Sequence, residues 1–313
     1  MKIKAYQRAI IFGIILWIPI CSFGQMTRQV AITFDDLPAT GSIESYEYQK
    51  YVTENLLAGI KASSVPAIGF VNEQKVISYG QIDKRTELLK LWLDAGHELG
   101  NHTFSHIPIN STRFEDYTAD LIRGETITRM LLQKKGMKLR YFRHTQLRTG
   151  PTEEYRLKLA KFLKDRGYTV APVTIDNNEY IFAVVYSRAK AKGDKALAAR
   201  IVSAYVDYME KVFEHFENIS RGFLGREVRQ ILLLHANEIN ADHFDKLAEM
   251  MKDRGYRFIT LEEALKDEAY KMPEVQSMRG LSWLHRWMLA KGLEIKEEPA
   301  QPKWIDELFQ QGN

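Results

Sequence analysis

An apolar, β-branched run, Val30-Ala31-Ile32-Thr33-Phe34, ends in the adjacent carboxylates Asp35 and Asp36 before Leu37-Pro38. Proline cannot donate to a strand ladder, so the run reads as a strand stopped there. Apolar positions then recur at helical spacing (Tyr48, Val52, Leu56, Leu57, Ile60), predicting a helix over 46–62. The same reading gives strands at 65–71, 96–101, 140–143 and 168–175, with helices at 86–95 and 153–166. One long amphipathic helix is predicted over 113–135, closed by Gly136. This alternation predicts a parallel sheet or barrel with helices outside. The rhythm breaks at about 186–220, a helical segment rich in Ala, Lys, Tyr and Phe that reads as an insertion shaping substrate access. Order returns with the buried strand 230–234, a helix at 241–254, a strand at 256–259 and a short helix at 261–266. Residues 269–313 form a C-terminal extension expected to pack on the barrel, with Trp283, Leu284 and Trp287 as a packing stripe rather than a sugar-stacking surface.

The amino terminus departs from this pattern. Lys2, Lys4 and Arg8 lead into the apolar run from Ala9 to Ile20, and Ser22 and Gly24 have the spacing of a cleavage site before Gln25. Residues 1–24 therefore read as a signal peptide, predicting a periplasmic or secreted protein. The run is short for a retained anchor, and Ile18-Pro19-Ile20 lacks the small residues that would favour lipid attachment at Cys21. Without the leader and its three basic residues, the formal charge falls from +4 to about +1, too balanced to suggest a nucleic-acid partner. The leader also holds the single cysteine, so any metal must be held by His and carboxylate. No further long apolar run suggests a membrane partner.

The candidate chemistry gathers at predicted strand ends. Adjacent strand residues face opposite ways. Asp35 and Asp36 can share a pocket if the strand frays at its carboxyl end, where α/β barrels and sheets place their active sites. His102 and His106, four residues apart, would put both imidazoles on one face of a helical turn, and one Asp from the first strand could complete a catalytic metal set. His235, after Leu232-Leu233-Leu234, sits where a general acid would, and further strand ends supply Arg143, Asp176 and Glu179. His97, His215, His243 and His285 read as structural.

In that order, Thr33-Phe34-Asp35-Asp36, His102-x-x-x-His106, Arg143, Asp176-x-x-Glu179-Tyr180 and Leu233-Leu234-His235 resemble the five motifs of the polysaccharide deacetylases, the NodB-homology family. The resemblance spans about 28–266. It implies a distorted (β/α) barrel over 25–268 and hydrolysis of acetyl groups, mostly N-acetyl, from a chitin-, peptidoglycan- or xylan-like glycan. By that resemblance Asp36, His102 and His106 hold Zn²⁺ or another divalent transition metal, Asp35 is the base and His235 the acid. Arg143 pairs with Asp35, Glu179 orients His235, and Asp176 completes the catalytic set.

Three departures stand out. Leu37 replaces a usual Gly, Arg143-His144-Thr145-Gln146 replaces Arg-Pro-Pro-Tyr, and Glu179-Tyr180 replaces Asp-Trp. The second alters the loop expected to serve the oxyanion and the acyl group, and His144 reads there as a surface histidine. Other readings are a metal-independent amide hydrolase of the same superfamily, a glycan-binding pseudoenzyme, and a two-His-one-carboxylate iron oxygenase. The last explains neither the second Asp nor His235.

Overall fold

A computed structural model describes residues 28–41 and 45–311. The expected leader and Cys21 lie outside these residues. Among the described residues, seven strands form one all-parallel sheet: β1 (Arg28–Leu37), β2 (Ala67–Val71), β3 (Glu98–Asn101), β4 (Tyr141–Phe142), β5 (Thr169–Val170), β6 (Gln230–His235) and β7 (Tyr256–Ile259). The order is β5-β4-β3-β2-β1-β6, with β7 paired to the start of β1. Past β5 the chain stays extended, and an isolated bridge from Ile175 to Leu232 of β6 joins the two ends of that order. The result is a distorted (β/α) barrel whose weakest seam lies between β5 and β6.

Parallel pairing needs a crossover between successive strands, and helices supply them. α1 (Tyr46–Ala62), α2 (Ile82–Asp94), α3 (Phe114–Arg123), α4 (Thr126–Lys134) and α5 (Glu153–Asp165) precede β5. Then α6 (Glu179–Ala191) and α7 (Lys195–Leu224) lead to β6, and α8 (Glu238–Asp253) to β7. α9 (Leu261–Ala264), α10 (Trp283–Ala290) and α11 (Lys303–Gln310) follow. Among the described residues, no helix is long and apolar enough to cross a membrane.

Strand alternation sorts β1 into two layers. Val30, Ile32 and Phe34 face the helices, where Phe34 meets Trp92 and Phe244 edge-on at ring separations of 5.8 and 5.6 Å. Ala31 joins Ile68, Phe70, Tyr141, Ala171, Ile231 and Ile259 in a second cluster on the opposite, inner face. Two-residue periodicity carries this inner face forward to Asp35, Arg143 and His235 at the carboxyl ends of three strands. The chemistry therefore stands on the layer that fills the barrel.

Three elements differ from the sequence expectation. The helix expected over 113–135 is two helices, broken at Gly124 and Glu125. The break brings Gly124 against the backbone of Thr103 and Phe104, where an added Cβ would lie 2.7 Å from Phe104 N. The insertion is a hairpin that begins at Glu179 and ends at Leu224, wider than the 186–220 expected. Its helices pack on each other, on α8 and on α11; its first residue, Glu179, joins the site described below, and Tyr205 of α7 donates to Asn240 Oδ1 at 2.8 Å. The strand expected over 168–175 keeps ladder pairing only at Thr169 and Val170, before the single bridge at Ile175.

The C-terminal extension lies against the barrel. Trp283 N–H donates to Val173 O at 2.7 Å and Ser282 Oγ to Thr174 O at 2.8 Å. Arg286, fully buried, donates to Leu147 O at 2.7 Å and Val275 O at 2.8 Å. Trp283 and Trp287 are both buried, so the stripe packs as expected.

Candidate active site

The two adjacent carboxylates reach one pocket through a bulge, not by fraying. Phe34 pairs with Gly69 and Leu37 with Val71, so three steps along β1 face two along β2. The extra residue is taken up at Asp36, whose φ of 69° is left-handed. That turn brings Asp36 to the side Asp35 already faces. Leu37 then rejoins the sheet with its side chain over Gly69, where a Cβ would lie 2.3 Å from Leu37 Cδ2. Gly69 thus leaves room for Leu37.

His102 and His106 lie on an irregular loop after β3, not on a helical turn, with Thr103 and His106 at φ of 66° and 57°. Left-handed backbone at non-glycine residues persists only where surrounding contacts hold it, and here they do. Asn101 Oδ1 accepts Thr103 N–H at 2.7 Å, and Asn72 Nδ2 donates to His102 O at 2.6 Å. Asp120 accepts from Ser105 N–H and Oγ at 3.0 and 2.8 Å, and its carbonyl from Phe104 N–H at 3.1 Å. Gly124→Ala should therefore displace the histidine loop, lowering metal affinity by roughly 10–100-fold, as supporting-residue changes do. A metal titration alongside a thermal melt tests this, and wild-type affinity in the variant would contradict it.

Among the described residues, Asp36, His102 and His106 bring one ligand atom each within 4.8 Å of the others. Asp36 Oδ1 lies 3.7 Å from His102 Nε2 and 3.8 Å from His106 Nε2, and is buried with no hydrogen-bond partner. His102 Nδ1 meets the Arg143 carbonyl at 2.9 Å, which fixes the proton on Nδ1 and leaves Nε2 as a donor atom. Burial lowers both imidazoles to about 4, so they stay neutral, as ligation requires. Burial alone would raise Asp36, but Lys75 and the two histidines hold it well below the carboxylate range. An orphaned carboxylate oxygen facing two neutral imidazole nitrogens fits a divalent cation, zinc among them.

Asp35 is buried beside this set, 3.6 Å from His102 Nε2 and 3.6 Å from Arg143 Nε. Arg143 is fully buried, donates to Thr33 Oγ1 at 2.7 Å and lies over the Phe70 ring at 4.7 Å. Burial pushes the Asp35 carboxyl up to about 6, against the opposing pull of Arg143 and His235. The Arg143 pairing limits this rise without cancelling it.

On β6, in register with Asp35 of β1, His235 Nδ1 meets Glu179 Oε2 at 2.8 Å. Glu179 is fully buried, and its Oε1 accepts from Asn240 Nδ2 at 2.6 Å and also from Asn237 Nδ2. Burial would lower His235, but the Glu179 carboxylate outweighs it and raises the imidazole to about 9. Asp176 makes no such contact. Its Oδ1 accepts the N–H of the next residue, Asn177, at 2.8 Å, and burial with Glu298 nearby lifts it to about 7.

His144 is not on the surface. It is buried, stacked on Trp283 at 6.3 Å and edge-on to Phe142 at 5.2 Å. The loop that follows, with Gln146 and Leu147 at φ of 55° and 52°, is pinned by Arg286. Lys75, Asn72, Asn237 and Asn240 were not singled out from sequence. Asn237 stands two residues beyond His235, so the strand-end signal could have reached it. Lys75 and Asn72 follow β2 with no pattern that marks them.

A search of curated proteins returned no match. Among solved structures, the chain resembles peptidoglycan deacetylase PdaC from Bacillus subtilis (19% identity, 77% of this chain and 93% of that one, TM-score 0.47). It also resembles a CE4 family pseudoenzyme from Bacillus anthracis (17%, 77% and 66%, TM-score 0.46) and a family 4 carbohydrate esterase from Streptomyces lividans in complex with acetate (17%, 76% and 95%, TM-score 0.44). The sequence model of the polysaccharide deacetylases matches residues 25–171, the span that contains Asp35, Asp36, His102, His106 and Arg143. Residues 25–171, a little under half of the chain, therefore form a polysaccharide deacetylase domain.

Proposed function

We propose that the protein is a secreted or periplasmic, metal-dependent hydrolase that removes acetyl groups, N-acetyl foremost, from a glycan. The observation that carries this reading is the convergence of Asp36, His102 and His106 within 4.8 Å, with Asp35 3.6 Å from His102 and the Glu179–His235 pair in register with Asp35 on the neighbouring strand. Bound by those three residues, zinc or a similar cation would supply Lewis acidity for the acyl carbonyl and for water. Asp35, raised to about 6, is poised to take a proton from attacking water near neutral pH. Arg143 favours its ionised form. His235 carries a proton at neutral pH and delivers it to the departing amine, while Glu179 holds Nδ1 and leaves Nε2 to donate. Water gains the acyl group and the amine gains hydrogen, so no further reactant is needed.

The test is acetate release from acetylated chito-oligosaccharides, peptidoglycan and xylan, before and after chelation and after zinc is restored. Activity lost with the metal and regained with zinc supports the proposal, and release that survives chelation defeats it. A second reading, glycan binding without turnover, draws on the rebuilt loop after Arg143. Tight glycan binding with no acetate under any metal would select it.

A further inference from the structure

We propose that residues 275–286 of the C-terminal extension position the two histidine ligands, with Gly280 and Arg286 as the positioning residues. This rests on the metal reading above and goes beyond it, because it assigns support of the site to a segment outside residues 25–171. Neither glycine nor proline stands between Arg143 and Gly150. Yet Gln146 and Leu147 are both left-handed, at φ of 55° and 52°. Residues with a Cβ disfavour such torsions, which persist only where neighbouring segments impose them.

The extension imposes them. Arg286, on α10, is fully buried and donates from Nη2 to Leu147 O at 2.7 Å and from Nη1 to Val275 O at 2.8 Å, so one guanidinium ties the loop to the extension. Gln276 Nε2 donates to Gly150 O and Pro151 O at 2.9 and 3.0 Å, where the loop ends. Gly280 packs so closely that an added Cβ would lie 2.1 Å from Gln146 O, a backbone atom that cannot swing aside. The loop clamped in this way reaches both ligands. Its first residue, Arg143, offers the carbonyl that meets His102 Nδ1 at 2.9 Å. Thr145 Oγ1 donates to the carbonyl of Ile107, directly after His106, at 3.1 Å. A further bond bypasses the loop: Asn110 Nδ2, beyond His106, donates to Met278 O at 2.9 Å. Displacing Gln146 therefore moves groups that orient both imidazoles, and such groups set metal affinity.

The experiment titrates zinc and cobalt(II) into the full chain and three variants, each also melted without metal. In Gly280→Ala the zinc dissociation constant should rise roughly tenfold. The visible absorption of the cobalt-loaded variant, which reads ligand geometry, should shift from the wild-type spectrum. Arg286→Met should behave alike where it folds. Ile305→Ala is the control, since Ile305 is fully buried on α11 and takes no part in these bonds. Its melting temperature should fall while zinc affinity and cobalt spectrum keep their wild-type values. A folded Gly280→Ala with wild-type affinity and spectrum overturns the proposal. So does an equal loss of affinity in Ile305→Ala, which would trace the effect to general stability. A wild type that binds neither ion defeats the metal reading and this proposal with it, a result distinct from a wild type and Gly280→Ala that bind zinc equally.

Discussion

Asp35→Asn is expected to lower kcat by roughly 10²- to 10⁴-fold, the span attributed to one positioned general base, while zinc binding persists. The three converging ligand atoms belong to Asp36, His102 and His106, and the amide keeps the shape of the buried side chain. The pH profile supplies a second readout. A base must be ionised to act, so wild-type kcat/KM should rise with pH through about 6, where burial places Asp35. An acid must hold its proton, so the rate should fall above about 9, where the Glu179 pairing places His235. The variant should lose the acidic limb and keep the alkaline one. A variant that retains more than a tenth of the wild-type rate with both limbs intact would show that another group takes the proton.

His102→Ala should abolish zinc binding and, with it, acetate release. Of the three converging residues, His102 is tightly held: its N–H donates to Val71 O at 3.0 Å, its carbonyl accepts Asn72, and Nδ1 faces the Arg143 carbonyl. Removing the ring also strands that buried carbonyl, at about 1–3 kcal/mol. Melting with and without metal separates the two effects. Zinc at 100 times its dissociation constant should stabilise the wild type by about 2.7 kcal/mol. The variant should melt lower and show no response to zinc. A variant that still gains stability from zinc would place the metal elsewhere.

Much of the site could be read along the chain because the signal is local. An apolar run that ends in a polar residue marks the carboxyl end of a buried strand, and Asp35, Arg143 and His235 all follow such runs. Their common inner face then follows from two-residue alternation. The division between Glu179 and Asp176 was not legible in the same way. Both lie near one strand end, three residues apart, and only the start of α6 at Glu179, with Asn237 and Asn240 brought in from beyond β6, decides which one holds His235. His144 looked like a surface residue because its cover, Trp283, lies far along the chain in the extension.

By itself, then, the sequence determined the strand order of the chemistry, the residue types available to it and the parallel α/β architecture. Each of these depends on contacts within a few residues or on simple periodicity. Tertiary structure decided how those residues meet. Asp36 turns towards Asp35 because Leu37 must pack over Gly69 on the neighbouring strand, and the bulge absorbs the extra residue. The histidine loop takes its shape from Asn72, Asp120 and the close approach of Gly124. Backbone torsions of this kind are set by packing between distant segments, which no local pattern of hydrophobic and polar positions encodes.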